Sequence, residues 1–202
     1  MTTLTLNGTW EFSQSDTDNW LPATIPGCVH TDLLAAGEIP EPYYRDNELG
    51  LQWIGETDWV YRKVFEVSAE FLQQPRILLR CNSLDTLATI VLNGVEIGRT
   101  NNQFRVWEFD AKPHLQTGAN EIVIRFDSAL NYGKAKLAER YIHAWNTQVG
   151  ANYLRKSQCN FGWDWGPDFI TCGILQDIEL IGLEVARIND IHILQNMVIQ
   201  LS

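Results

Sequence analysis

Ala88-Thr89-Ile90-Val91-Leu92-Asn93-Gly94-Val95-Glu96-Ile97 is the stretch that decides the fold class. Apolar and β-branched residues fill both arms, and Asn-Gly stands between them. Such a two-residue loop suits a type I′ turn, in which both central residues take positive φ. The segment therefore predicts an antiparallel hairpin. Outward from it, the same patterning recurs. Upstream, Trp59, Tyr61, Lys63, Phe65 and Val67 fall on one face of a strand, with Val60, Arg62 and Val64 on the other. Arg76–Cys81 is a short β-prone run. Downstream, residues 104–109, 121–126 and 173–181 carry strand patterns. At the N-terminus, residues 4–6 and 9–12 read as two short strands on either side of an Asn7-Gly8 turn. Many short strands with turn signals between them predict an all-β, antiparallel β-sandwich.

The connecting segments carry their own signals. Residues 13–19 are polar and predict a loop, and Pro22, Pro26 and Gly27 predict irregular chain. Residues 31–36 are a short helix candidate with Gly37 placed to end it. Pro40 and Pro42 predict an extended run over residues 41–44. Leu130, Leu137, Tyr141 and Trp145 share one helical face, behind Ser128 as an N-cap. Gly133 should weaken that helix by about 1 kcal/mol relative to alanine. Beyond Arg187, residues 191–194 and 197–199 predict further strands, as of a second unit that continues past Ser202.

Composition bounds the partners. The 202 residues are 45% hydrophobic and 20% charged, enough apolar content for a real core. A net charge of −10 and a pI of about 4.8 argue against nucleic acid and against anionic membranes. A neutral ligand is compatible with that charge. Cys28, Cys81, Cys159 and Cys172 form no Cys-x-x-Cys pair, and His30, His114, His143 and His192 are scattered. Neither set has metal-ligand spacing. There is no phosphate loop, no dinucleotide fingerprint and no Gly-x-Ser-x-Gly, so neither metal nor cofactor is expected. No signal peptide or membrane-length apolar run is visible, which predicts a cytoplasmic protein.

The densest chemistry is in Phe161-Gly162-Trp163-Asp164-Trp165-Gly166-Pro167. Glycines and a proline close both ends, so this is a rigid turn or loop. Two readings fit the residues. Indole faces suit the CH faces of sugars, and a carboxylate accepts from two neighbouring hydroxyls, which makes a polyol pocket. Alternatively, Trp163 and Trp165 plug the core and Asp164 caps a turn. Arg155 and Lys156, just upstream, either pair with Asp164 or are solvated.

Several stretches together resemble the N-terminal part of β-mannosidases, within the large glycosidase family that also holds β-galactosidases and β-glucuronidases. They are residues 25–34 continuing through residues 39–44 to Gln52-Trp53, then Trp59-Val60-Tyr61-Arg62, then residues 82–86 leading into Leu92-Asn93-Gly94. The most specific is the run from Arg155 through Trp163-Asp164-Trp165-Gly166-Pro167. The resemblance implies a jelly-roll, galactose-binding-like domain over residues 1–186, with residues 187–202 opening an immunoglobulin-like sandwich and a (β/α)₈ barrel beyond it. The barrel would hold both catalytic glutamates of a retaining, exo-acting mannoside hydrolase, so no catalytic residue is expected in this stretch. By the same resemblance, Asp164 binds the 4- and 6-hydroxyls of the terminal mannose and Trp163 lines that pocket. Trp165, Gly162, Gly166 and Pro167 would hold the loop. The alternatives are a free-standing carbohydrate-binding module and the equivalent domain of a related β-glycosidase.

Overall fold

A computed structural model describes residues 1–143, 150–188 and 190–195. In chain order the strands are β1 (Thr2–Thr5), β2 (Gly8–Gln14), β3 (Leu21–Ile25), β4 (Trp59–Val67), β5 (Arg76–Cys81), β6 (Leu84–Asp85), β7 (Leu87–Leu92), β8 (Val95–Asn101), β9 (Trp107–Asp110), β10 (Gly118–Phe126), β11 (Gly173–Ile174) and β12 (Ile178–Leu183). Helices α1 (Val29–Ala35), α2 (Asn47–Gly50), α3 (Ala69–Leu72) and α4 (Ala129–Glu139) lie between them. One sheet runs β3-β2-β4-β10-β7-β8, a second runs β1-β12-β5-β9, and β11 pairs with β6. This is the expected all-β sandwich, antiparallel in every strand pair.

The hairpin forms as predicted. Asn93 and Gly94 take φ of 48° and 80°, and β7 returns as β8. At the centre, β4 pairs with β10 over the full length of both strands, Trp59 opposite Phe126 and Val67 opposite Gly118. Alternation then sends Trp59, Tyr61, Phe65 and Val67 inward with Ile122, Ile124 and Phe126. Ile77, Leu79, Ile178 and Leu180 of the second sheet close the same core. Phe12 stacks 5.6 Å from Tyr61, and Tyr61 meets Phe126 edge-on at 5.7 Å, so an aromatic row crosses β2, β4 and β10. Burying each such side chain stabilises by about 1.5–3 kcal/mol.

Four expectations are corrected. The strands beside Asn7-Gly8 do not pair with each other; β1 joins one sheet and β2 the other, while the Asn7 side chain bonds Asp177 and the Ile178 amide. Pro22 lies in strand β3, on a sheet edge that tolerates it, whereas Pro26 and Gly27 stay irregular as expected. Residues 41–44 form a turn closed by the Tyr44 amide on the Glu41 carbonyl at 3.1 Å, with Pro42 in the position that turns favour. Residues 191–194 carry no strand, and Ile193 is 84% exposed; residues 197–199 lie outside the described residues.

Helix α4 starts where expected, with the Ser128 hydroxyl accepting from the Asn131 amide at 3.0 Å. It ends at Glu139, and Tyr141 is 73% exposed; Trp145 lies outside the described residues. Its buried face is Ala129, Leu130 and Gly133. Gly133 has a packing reason: a β-carbon there would stand 2.6 Å from the Gly150 carbonyl oxygen. Helix and loop cross backbone to backbone. Propensity alone has Gly133→Ala gaining about 1 kcal/mol. The crossing reverses the sign, and we expect a loss of ~1–3 kcal/mol in urea denaturation, the usual cost of overpacking.

Candidate functional site

The Trp-Asp-Trp loop leaves the sandwich after β10 and α4 and returns at β11. Its first stem is pinned to the chain beyond β8: the Gln103 amide bonds the Arg155 carbonyl at 2.9 Å, and the Ser157 amide bonds the Gln103 side chain at 2.8 Å. Phe161 then drops into a small apolar cluster with Leu87, Leu130, Leu154 and Ile170. Gly162, at φ 81°, turns the chain outward, a conformation that side-chain-bearing residues rarely adopt. Trp163 and Gly166 exchange backbone bonds of 3.4 and 3.3 Å, so Asp164 and Trp165 form the tip of a tight turn.

Trp163 is half-buried, Asp164 is exposed and Trp165 is 76% exposed. The two indoles meet at 5.0 Å, tilted by 49°. The core-plug reading therefore fails, because neither indole reaches the core. The anchoring role expected of Trp165 fails for the same reason, and Phe161 and Phe169 hold the loop instead. Lys156 does not serve Asp164. It is fully buried and paired with Asp85, 71 residues away in sequence. Among the described residues, no cation pairs with Asp164.

The second stem is braced from the other side. The Asp168 amide bonds Glu48 Oε1 at 2.5 Å, and Gln52 Nε2 donates to the Asp168 carbonyl at 2.9 Å. The Phe169 ring lies 5.4 Å from His30 and 5.3 Å from Tyr43. Between them opens a cleft of about 340 Å³, lined by His30, Tyr43, Cys159, Asn160, Pro167 and Phe169. Burial, then the Lys156 charge, pushes His30 down to about 4, so its ring is neutral at pH 7. Burial, then the neighbouring Glu48 charge, pushes the Asp168 carboxyl up to about 6. Among the described residues, no cluster of His, Cys, Asp or Glu could hold a metal ion. Sequence reading had no handle on the Lys156–Asp85 pair or on the brace from Glu48, since both join residues far apart in the chain.

The arrangement displays one exposed carboxylate beside an indole wall, with one side open. It can accept two hydrogen bonds from a polyol and exclude water on one face.

Comparison with known proteins gives a consistent picture. The family model described as glycosyl hydrolase 2 galactose-binding domain-like matches residues 10–176. The chain is 36% identical over 196 residues to the β-mannosidase of Bos taurus, covering 92% of this chain and 22% of that protein. It is 38% identical over 194 residues to β-mannosidase B of Thermothelomyces thermophilus, covering 93% and 22%. The crystal structure of the β-D-mannosidase from Dictyoglomus thermophilum superposes with a TM-score of 0.89 at 41% identity, covering 94% of this chain and 24% of that one. The chain thus spans about a fifth of the length of these relatives.

Two measurements check the loop. Trp165→Ala should change unfolding free energy by less than ~0.5 kcal/mol, whereas Phe161→Ala should cost ~3–5 kcal/mol in the same urea titration. The pH dependence has two opposing parts. Between about pH 4 and 6 the folded state holds an extra proton on Asp168, so that contribution to stability is lost as pH rises through about 6. Between about 4 and 6.5 the unfolded state holds an extra proton on His30, so that contribution grows as pH rises. Asp168→Asn removes the first and leaves the second. Its melting temperature should climb more steeply than the parent's across that window.

Proposed function

The chain belongs to the glycosyl hydrolase 2 galactose-binding domain-like family, and we propose that it is the sugar-gripping N-terminal domain of an exo-acting, retaining β-mannosidase. The observation that carries this reading is the display of Asp164. The carboxylate stands at the tip of a rigid turn, beside Trp163, with no partner in its own domain among the described residues. A charge held out in that way is built to meet something outside the domain. The relatives named above are β-mannosidases several times longer than this chain, which supports a catalytic domain elsewhere in the parent protein.

In this reading Asp164 accepts hydrogen bonds from the 4- and 6-hydroxyls of the terminal mannose, and the Trp163 indole covers the ring beside them. Gripping those hydroxyls blocks chain extension there, which restricts hydrolysis to the non-reducing end. The acid/base and nucleophile glutamates come from the barrel, and water attacks a glycosyl-enzyme. This domain contributes binding that strengthens as the sugar ring distorts, and no bond-making group. In the same reading, residues 187–202 open the following immunoglobulin-like domain of the parent protein. The substrate is a neutral mannoside, and no nucleic acid, membrane, metal or cofactor is required.

The apolar cleft beside the turn favours a second reading, a free-standing carbohydrate-binding module. Two experiments separate them. In the full-length parent, Asp164→Ala should reduce kcat/KM for an aryl β-mannoside by at least ~30-fold, about 2 kcal/mol, the scale of charge-assisted hydrogen bonds. Thermal stability should be unchanged, since the side chain is exposed. Calorimetry of this chain alone with mannobiose should detect no binding at millimolar concentration. Unchanged kcat/KM would refute the reading, and tight binding by the isolated chain would favour the module.

A further inference from the structure

We propose that Lys156, Asp85 and Thr171 form a buried clamp that sets the position of Asp164, a positioning role that rests on Asp164 gripping the substrate. Lys156 precedes Asp164 by eight residues and Thr171 follows it by seven, so the two stand on opposite stems of the displayed loop. One ammonium gathers both. Lys156 Nζ donates to both carboxylate oxygens of Asp85, at 2.6 Å to Oδ1, and to the Thr171 carbonyl and hydroxyl at 2.9 and 3.1 Å. The Thr171 hydroxyl donates in turn to Asp85 Oδ2 at 2.7 Å, and the Thr86 hydroxyl donates to Oδ1. The three N–H donors of Lys156 are thereby used, and Asp85 accepts from three side chains.

Asp85 is not itself part of the loop. It lies in β6, paired with Gly173 of β11, and β11 is tied to the start of α1 by the Gly27 amide on the Ile174 carbonyl at 2.9 Å. The clamp therefore refers both stems to β6, which runs almost directly into β7 of the six-stranded sheet. The Lys156 and Asp85 side chains are both 0% exposed. At that depth desolvation takes back most of the attraction, so an ion pair adds little stability over apolar side chains of similar size. What it supplies instead is direction, because a charged, fully satisfied network admits few geometries. The loop needs this. Between its stems its regular structure is one 3₁₀ turn, Gln158–Phe161, and the two-residue turn at the tip. A small rotation at the stems would swing Asp164 through a larger arc.

The test is a mutant cycle in the full-length parent enzyme. Lys156→Met with Asp85→Asn removes both charges together and leaves neither ion alone. Thr171→Val deletes one hydroxyl at nearly constant volume, and serves if the double variant does not fold. The clamp variants should retain a cooperative melt, lose at least ~10-fold in kcat/KM and show faster amide exchange across residues 158–170. The deciding number is the effect of adding Asp164→Ala. In the parent background it should cost ~30-fold, and in a clamp variant less than ~5-fold, because a displaced carboxylate has little left to lose. An equal cost in both backgrounds would overturn the clamp while leaving the role of Asp164 intact. No cost in the parent background would overturn both.

Discussion

The antiparallel ladder between Trp59–Val67 and Gly118–Phe126 is the constraint on which the rest of the molecule depends. It is paired along its whole length, and period-two alternation leaves no freedom in which side chains face inward. A slip of one residue would send Tyr61, Phe65, Ile122 and Ile124 to solvent together. The neighbouring strands inherit this register: β2 places Phe12 against Tyr61, and β7 places Ile90 opposite Ile124. The second sheet then has one apolar surface to cover and does so with alternate residues of β5 and β12.

Around that frame the loop from Lys156 to Thr171 is an outlier. It is long, has little regular structure, and still presents a defined tip. Long ordered loops in compact domains are usually functional. Its stiffness comes from three physically different contacts. Phe161 and Ile170 bury apolar surface, Glu48 and Gln52 satisfy the backbone at Asp168, and Lys156, paired with buried Asp85, donates across to Thr171 on the other stem. None of these reaches Asp164. The tip is braced through its base, and among the described residues Asp164 at its end has no charged partner.

Much of the sandwich was legible in the sequence because β-patterning is local. The hairpin through Asn93-Gly94 and the strands Trp59–Val67 and Arg76–Cys81 follow from alternation and turn chemistry within a few residues. Proline misled in both directions: at Pro22 an edge strand tolerated it, and at Pro42 it started a turn. Helix α4 is shorter than its pattern because Leu137 and Tyr141 continue the helical face of Leu130 past the point where packing uses it; the buried contacts are Ala129, Leu130 and Gly133, with Gly133 against Gly150. At the site, the motif pointed to Trp163 and Asp164, and the family resemblance supplied their roles. Lys156 was misplaced because its partner sits 71 residues upstream, and charge pairing over that distance leaves no local pattern.

The edge strand β1 has an implication for synthesis. Thr2 pairs with Gly182 and Thr5 with Glu179. The first strand of this domain thus has its sheet partner almost at the domain's other end. At ribosomal rates of ~5–20 residues per second, that partner arrives roughly 9–36 s later. The six-stranded sheet can assemble in the interval, since β2, β4, β7 and β10 all precede it. The four-stranded sheet cannot, because β12 lies between β1 and β5. Until it emerges, β1 has no strand partner and β5 can pair only with β9. The nascent domain then has one complete sheet and a second that lacks its inner strand β12.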